Sequence, residues 1–190
     1  MLYKDMKIRT ARVSDAQEIL QIYAPYIRDT AITFEYEVPA LSEFKKRIEN
    51  TLKKYPYIVA EKDGEIVGYA YTGVFKDRAA YDWAAEVSVY VKEDRRGLGI
   101  GSSLYAVLEE ISRAQHILNL NACIAYSDTE DAYLTKDSVK FHGHLGYALV
   151  GKFHQCGYKF GRWYDMVWME KTIGEHPADP LPVIAFSDLR

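Results

Sequence analysis

The pattern of apolar and polar positions along the chain predicts, in order, one strand, two helices, three strands, a helix, a strand, a helix and two strands. Apolar residues at helical spacing predict helices that begin at a capping box over residues 14–17, at Pro39, near Gly99 and at Lys136. Short β-rich runs predict seven strands, at residues 6–11, 57–61, 65–74, 84–92, 118–125, 147–156 and 162–171. This order of elements predicts the α/β class, with a mixed sheet flanked by helices.

Residues 86–102 carry more chemical information than any other segment. An extended apolar run leads into a turn with two arginines and three alternating glycines, and a helix pattern follows. Backbone N–H groups freed by such a turn, beside a helix N-terminus, bind phosphate oxygens. A Walker A string is absent, and a dinucleotide-binding motif would place Ser102 at its last glycine. The remaining pattern, Arg-x-x-Gly-x-Gly, matches Arg96, Gly99 and Gly101.

Length, charge and cysteine content limit the classes of partner. The 190 residues suit one domain, expected over residues 6–172, with a proline-containing tail at 173–190. A net charge of −3 gives no reason to expect nucleic acid, and no apolar run approaches the roughly 20 residues of a membrane span. The first residues lack the apolar region of a signal peptide. Two cysteines, Cys123 and Cys156, suit free thiols in a reducing cytoplasm.

A metal site is a weak alternative for the histidines near the C-terminal third of the chain. His142, His144, His154 and Cys156 are ligand-type residues. However, His142 and His144 are two apart on a predicted helix, so their side chains diverge by about 200°. Structural zinc sites favour more compact spacings, and we therefore expect no metal.

The strand and glycine turn resemble the acetyl-CoA site of the GNAT superfamily of N-acetyltransferases. The element order resembles that fold over residues 6–172, so the resemblance implies a GNAT domain there. It also implies that the turn holds the pyrophosphate of coenzyme A, while the pantetheine arm pairs with the strand as an added peptide would. The cofactor-binding residues so implied are Val89, Tyr90, Val91, Arg96, Gly97, Leu98, Gly99, Ile100, Gly101, Ser102 and Ser138. An asparagine usual in the family has no clear counterpart, and Thr135 or Asp137 stands near its place.

Further segments resemble the phosphinothricin acetyltransferases within that superfamily. They are Thr33-Phe34-Glu35, the run at residues 76–83, Glu86, the Phe-His-Gly-His-Leu-Gly-Tyr string at 141–147, and the Gly-Tyr-Lys at 157–159 with Trp163 and Asp165. The resemblance implies acetyl transfer to the α-amine of small amino-acid-like compounds, such as phosphinothricin and methionine sulfoximine or sulfone. It also implies a homodimer.

Two residues carry the chemistry that this resemblance implies. A free alkyl amine with a pKa near ~10 is mostly protonated at neutral pH, so a base is needed, and Glu86 is the candidate. Partial burial would have to raise its pKa; otherwise Glu86 merely forms a salt bridge with Lys76 or Arg78. His142 would protonate the leaving thiolate or assist Glu86, and its alternative is a helix-surface histidine. A backbone N–H near Val89 would stabilise the developing oxyanion.

Four residues are expected to bind the acceptor. Lys76 and Arg78 are two apart, which on a strand end would place both on one side as a clamp for an acidic group. Tyr81 would add a hydroxyl donor and Phe34 an apolar wall. Alternative functions are acetylation of a polyamine or a protein N-terminus, or a non-catalytic coenzyme A-binding module. The two cations argue against a polycationic substrate.

Overall fold

Helices and strands follow one another along the chain in the order that the sequence pattern predicts. A computed structural model describes residues 6–189. Residues 1–5, which are most of the segment expected not to be a signal peptide, lie outside it, as does residue 190 of the tail. The helices of the described part are α1 (Ala16–Asp29), α2 (Leu41–Lys54), α3 (Ile100–Ala114) and α4 (Asp137–His144). Its strands are β1 (Lys7–Thr10), β2 (Tyr57–Lys62), β3 (Glu65–Val74), β4 (Ala84–Val91), β5 (Asn119–Tyr126), β6 (Ala148–Lys159) and β7 (Arg162–Thr172).

The starts of the first two helices differ from the prediction. The capping box at residues 14–17 is wrong, because the carboxylate of Asp15 instead accepts the backbone N–H of Arg12 at 2.7 Å. The Asp15 carboxylate also pairs with Arg9 at 2.6 Å, and a 3₁₀ turn at residues 13–15 precedes α1. Pro39 does not open α2, which begins two residues later at Leu41.

Two turns show how local chemistry directs the strands. Asp63 and Gly64 both have positive φ, 52° and 80°, which is the two-residue hairpin geometry that Asp-Gly favours between β2 and β3. Phe160 and Gly161 have φ of 50° and 75° and turn β6 into β7 in the same way. The second turn therefore has two residues instead of the five, 157–161, that the sequence predicted, and β6 continues to Lys159.

The sheet confirms the mixed topology and has one irregular seam. Its strand order is β1-β2-β3-β4-β5-β7-β6, and every neighbouring pair is antiparallel except β4 and β5. The parallel pairing joins only Ala84–Glu86 to residues 119–121. Beyond this point β4 continues to Val91 and β5 to Tyr126 without pairing to each other. The two strands therefore diverge in the middle of the sheet.

A hydrophobic core lies on each face of this sheet. Against α3, Leu104 and Leu108 pack with Val87 of β4 and Leu120 of β5. Against α1 and α2, the buried set combines aliphatic side chains with several aromatic rings, and Tyr57 and Tyr69 are stacked with their ring centroids 5.7 Å apart. Successive residues of β4 contribute to opposite cores, because side chains alternate along a strand.

The segment after β7 is docked on the domain. Ile184 forms two hydrogen bonds with Gln115, which is fully buried at the end of α3. The backbone N–H of Ile184 donates to the Gln115 carbonyl at 3.0 Å, and the side-chain Nε2 of Gln115 donates to the Ile184 carbonyl at 2.9 Å. The indole of Trp83 donates to the carbonyl of Leu181 at 2.8 Å. Val183 packs on the core beside α3. We propose that residues 6–172 are the catalytic domain and that the tail at 173–190 serves as an added brace.

Deleting residues 175–190 should therefore destabilise the protein. The deletion removes the hydrogen bonds that Ile184 makes with Gln115 and Leu181 with Trp83, each worth about 0.5–1.5 kcal/mol net, and it uncovers the core beside Val183. We expect a lower unfolding midpoint in calorimetry. As a control, Leu181→Ala should leave the midpoint unchanged, because that side chain is 63% exposed. An unchanged midpoint for the deletion would contradict the role of the tail as a brace.

Candidate active site

The divergence of β4 and β5 opens a cleft in the sheet. The cleft holds about 480 Å³ of empty space, part of it open to solvent. It is lined by Ile32, residues 87–90, Tyr105, residues 122–125, Leu134, Ser138 and His142. Four sequence-predicted residues, Val89 and Tyr90 of β4 and Ser138 and His142 of α4, are therefore brought to one opening, whereas Val91 and residues 96–102 do not line it.

The free edge of β4 has two different ends. The hydroxyl of Tyr26 donates to the Val91 carbonyl at 2.6 Å and lies 3.3 Å from the Val91 N–H, so both groups point away from β3. The N–H and C=O groups of a strand point to its two sides in alternate residues. The backbone groups of Val89 therefore point away from β3, into the cleft, as those of Val91 do, while the backbone groups of Tyr90 point to β3. Of the three strand residues expected to bind the cofactor, Val89 has the free backbone edge, whereas Val91 is already bonded to Tyr26.

The glycine turn forms an open cradle at the start of α3. Gly97 and Gly99 have φ of +74° and +79°, and a Cβ added at either would meet no atom within 4 Å. The N–H groups of residues 100–102 precede the first intrahelical bond, from Ser103 to the Gly99 carbonyl at 3.0 Å. The Arg96 guanidinium lies 4.8 Å from the ring centre of Tyr26, beside the end of β4. Free N–H donors, an exposed arginine and space above the turn fit a pyrophosphate group.

Four residues of the predicted cradle have distinct surroundings. Ile100 is 1% exposed and its side chain packs in the core, so only its backbone can contact a ligand. A Cβ on Gly101 would approach the ring of Phe141 to 3.1 Å, so this glycine allows α3 and α4 to pack. Leu98 and Ser102 are exposed beside the turn.

His142 is buried at 4% exposure, so it is not a surface histidine. Its Nδ1 lies 2.7 Å from the carbonyl of Ser138, and because a carbonyl only accepts, Nδ1 carries the proton. Its Nε2 then accepts the hydroxyl of Tyr105 at 3.0 Å. Burial lowers the pKa of His142, so the ring is neutral near pH 7.

Tyr105 is a site residue that the sequence reasoning missed. It is 2% exposed, lines the cleft and bonds His142, and its pKa is raised by burial, with a smaller contribution from the charge of Glu86. The available signal was its position beside Leu104, on the inward face of α3. A hydroxyl on that face has to find a polar partner.

Glu86 occupies the last paired position before β4 and β5 diverge. It is half-buried, and burial raises the pKa of its carboxyl, while the charge of Lys76 partly opposes that shift. Within residues 6–189 its carboxylate has no hydrogen bond or ion pair, so the expected alternative of a salt bridge to Lys76 or Arg78 is not formed. The ammonium of Lys76 instead lies over the rings of Phe75 and Trp168, at 5.0 and 5.1 Å.

The acceptor clamp differs from its predicted geometry. Lys76 and Arg78 follow the end of β3 and lie in a turn, where the Arg78 N–H bonds to the Lys76 carbonyl at 2.9 Å. The argument from strand alternation is therefore wrong for this pair. Arg78 and Tyr81 are exposed, neither lines the cleft, and the Tyr81 ring packs edge-on against Phe75. Lys76 is the member of the pair whose charge reaches Glu86.

A thiol lies in the cleft near Glu86. Cys123 is exposed on β5, and its pKa is raised to about 12, first by burial of the sulfur and second by the charge of Glu86. The side chain is accessible, but at neutral pH it is a protonated thiol. A thiol is a far weaker nucleophile than a thiolate.

A second cavity lies on the α1/α2 face of the sheet. It is lined by Tyr23, Glu35, Phe44, Arg47, Asn50, Thr51, Tyr57, Tyr69 and Tyr71. Arg47 pairs with Glu35 at 2.7 Å and with Glu43 at 2.6 Å on this side of α2. Tyr71 connects the cavity to β4, since the pKa of its phenol, raised chiefly by burial, is raised further by the charge of Glu86. The sequence pattern gave no indication of this cavity.

The acidic loop before α4 is ordered by its own pairs. Asp131 accepts the N–H groups of Tyr133 and Leu134, both at 2.7 Å, and also contacts Arg162 of β7. The hydroxyl of Thr135 donates to Asp137 at 2.8 Å. Neither Thr135 nor Asp137 lines the cleft, so the geometry offers no counterpart for the family's asparagine at these two positions.

Two further properties concern the described residues as a whole. Within residues 6–189, no three side chains of His, Cys, Asp or Glu are grouped so that they could hold a metal ion. None of the helices in that range has the length and apolar character needed to cross a membrane.

Comparison with known proteins identifies the family. A model of the acetyltransferase (GNAT) domain matches residues 8–168. The chain is 34% identical to the phosphinothricin N-acetyltransferase of Streptomyces viridochromogenes, over 95% of this chain and 94% of the relative. It is 33% identical to the L-methionine sulfoximine/L-methionine sulfone acetyltransferase of Pseudomonas aeruginosa, over 87% of this chain and 94% of that protein.

A solved structure agrees with the sequence relatives. The phosphinothricin acetyltransferase of Sinorhizobium meliloti, in complex with acetyl-CoA, superposes with a TM-score of 0.85 at 30% identity. The match covers 97% of this chain and 98% of that one. The fold expected from the resemblance is confirmed, and the chain belongs to the GNAT family of acetyltransferases.

Proposed function

We propose that this acetyltransferase transfers the acetyl group of acetyl-CoA directly to the α-amino group of a small amino-acid-like acceptor. The observation that carries the proposal is an unpaired, half-buried carboxylate, Glu86, at the point where β4 and β5 open toward the glycine turn. Relatives named for phosphinothricin and methionine sulfoximine support this acceptor class. They do not favour a polyamine, a protein N-terminus or a non-catalytic module.

Acetyl-CoA would supply the thioester, and the chain would bind and orient it. In this proposal the turn at 96–102 holds the pyrophosphate, the Val89 backbone pairs with the pantetheine arm, and Ser138 lies beside the same cleft. The Val89 N–H also faces the region where the thioester oxygen would develop charge. The positive φ of Gly97 and Gly99 supports this proposal, because such backbone conformations let successive N–H groups of a turn face one anion.

Glu86 would accept the proton of the acceptor amine. A carboxylate with a raised pKa is a stronger base than an ordinary one. Within residues 6–189 no side chain forms a hydrogen bond or an ion pair with the Glu86 carboxylate, so none competes with the amine for it. The nearby cation Lys76, with the exposed Arg78 and Tyr81, would attract the acidic group of the acceptor. Phe34 would form an apolar wall.

The Tyr105–His142 pair would serve the leaving thiolate. Because Nε2 of neutral His142 is an acceptor, the Tyr105 hydroxyl is the donor of the hydrogen bond between the two residues. We propose that His142 Nε2 holds the single Tyr105 O–H before transfer, and that this O–H turns from Nε2 to the sulfur as the thiolate leaves. His142 is thus assigned an assisting part rather than that of a free imidazolium.

The amine class is tested by measuring thiol release. Purified protein, acetyl-CoA and a panel of acceptors would be compared: phosphinothricin, methionine sulfone, methionine sulfoximine, a polyamine and an N-terminal peptide. We expect release with the amino-acid-like acceptors. Turnover with only the peptide or the polyamine would contradict the acceptor class, and acetyl-CoA binding without release would favour a non-catalytic module.

Glu86→Gln should fold and bind acetyl-CoA but lose turnover. Loss of a general base lowers kcat/KM by about 10²–10⁴-fold. In the wild type, kcat/KM should fall on acidification as Glu86 is protonated, with a midpoint above the ordinary glutamate value of 4.5, and the variant should lack this limb. The control is Glu110→Gln, on the exposed side of α3. Near-normal kcat in Glu86→Gln across pH would refute the assignment.

Cys123→Ala should distinguish direct transfer from a covalent acetyl-enzyme. Because its thiol has a pKa raised to about 12, we expect Cys123 not to act as a nucleophile. The variant should lose no more than about tenfold in kcat, whereas removal of a true nucleophile costs several orders of magnitude. Mass spectrometry of wild type mixed with acetyl-CoA alone should show no acetylated Cys123; an acetylated thiol that transfers to amine would overturn direct attack.

We also propose a homodimer formed through the end of the sheet. β6 is an edge strand, and Leu149, Val150 and Phe153 on it are 63%, 58% and 56% exposed. An unpaired strand edge with apolar side chains favours pairing with a second copy. Light scattering at micromolar concentration should give twice the mass of 21.8 kDa, and a monomer mass would contradict the proposal.

A reducing compartment such as the cytoplasm is the proposed location. Cys123 and Cys156 are both free and exposed, and exposed thiols persist where disulfides are kept reduced. Cell fractionation that recovered the protein from an oxidising compartment would contradict this.

A further inference from the structure

A buried lysine holds the loop that carries Phe34. Lys159 is the last residue of β6 and is 3% exposed. Its ammonium donates to the carbonyls of Ile27, Thr30 and Thr33, each at 2.8 Å. An ammonium has three N–H donors, so all of its capacity is used.

The three carbonyls belong to two different segments. Ile27 lies in the last turn of α1, where carbonyls lack intrahelical partners and the helix dipole is negative, and Thr30 follows directly. Thr33 lies further along the loop. One cation therefore satisfies the helix end and ties the loop back onto it. Burial lowers the pKa of Lys159, as expected for a cation whose contacts are all neutral carbonyls.

Phe34 follows the anchored carbonyl of Thr33 directly. Its ring centre lies 6.4 Å from that of Tyr164 on β7. A Cβ added to Gly157 would lie 2.2 Å from the Phe34 ring, so the ring rests on the bare backbone of β6. Gly157 and Lys159 are two residues apart on that strand and so share a face. The same strand thus provides both the anchor and the seat.

We propose that Lys159 is a positioning residue for the acceptor site, where it sets the place of Phe34 by holding the Thr33 carbonyl. The inference rests on the proposed function, in which Phe34 is a wall of that site. Lys159 itself is not among the residues that line the cleft, but Ile32, which lies between the held carbonyls of Thr30 and Thr33, is among them. The proposal therefore assigns the larger effect to the acceptor, through Phe34, and a smaller one to acetyl-CoA. A lysine that served only to stabilise the fold would affect the two substrates alike.

Two substitutions should displace Phe34 by independent routes. Lys159→Met removes the anchor, and Gly157→Ala fills the seat while leaving Lys159 in place. Each should lower kcat/KM for the acceptor by about ten- to a hundredfold, as expected for a displaced positioning group, chiefly through a higher acceptor KM. The KM for acetyl-CoA should stay near its wild-type value. Lys7→Met, an exposed lysine on β1, is the matched control.

A double-mutant cycle with Phe34→Ala tests whether the effect passes through that ring. In the Phe34→Ala background, neither Lys159→Met nor Gly157→Ala should lower acceptor kcat/KM further. Additive effects, or equal rises in both KM values, would overturn the inference. If Lys159→Met does not fold, Lys159→Gln decides, because its amide keeps two N–H donors. It should raise the KM for the acceptor, by less than Gly157→Ala does, and leave the KM for acetyl-CoA near its wild-type value.

The proposed function fails in a different way. If Phe34→Ala leaves acceptor kinetics unchanged, Phe34 is no wall of the site, and both the assignment and the inference fall. If Phe34→Ala raises the acceptor KM while Lys159→Met, Lys159→Gln and Gly157→Ala do not, the wall stands and only the positioning role is refuted.

Discussion

The site depends on one constraint, the end of pairing between β4 and β5 after Glu86. Each strand keeps its outer partner for its whole length, β3 for β4 and β7 for β5, so the sheet stays intact while its centre opens. The opening leaves backbone donors and acceptors of β4 facing space. Because buried backbone groups must be paired, this edge has to bind water or a ligand. In the proposed function a peptide-like arm of the cofactor would satisfy that need, and its reactive end would arrive near the carboxylate of Glu86.

Burial gives each titratable group near the cleft a definite state. It raises the pKa of Glu86, lowers that of His142 and raises that of Cys123. The result is a base, a neutral imidazole and a protonated thiol within one site. These three states suit removal of a proton from an amine followed by direct transfer. They come from the same physical cause, since low polarity disfavours the charged form of every group.

Local patterns predicted what local chemistry controls. The Asp63-Gly64 hairpin and the glycine turn were readable because positive φ at specific positions favours glycine or aspartate. The capping box at residues 14–17 was wrong because Asp15 is held on the N-terminal side of the helix, by the backbone N–H of Arg12 and by Arg9 of β1. The clamp geometry of Lys76 and Arg78 was wrong because β3 ends before them. In each error a contact or boundary set elsewhere in the chain overrode the local rule.

The sequence by itself determined the class of fold, the glycine turn and the identity of Glu86 and His142 as candidates, because spacing and residue type carry that information. Only the tertiary structure decided that His142 is buried and neutral, that Tyr105 is its partner, and that Lys159 anchors the loop before Phe34. Lys159 and Thr33 are 126 positions apart. A contact across that separation has no periodic signal, and only the packing of β6 against the end of α1 brings it about.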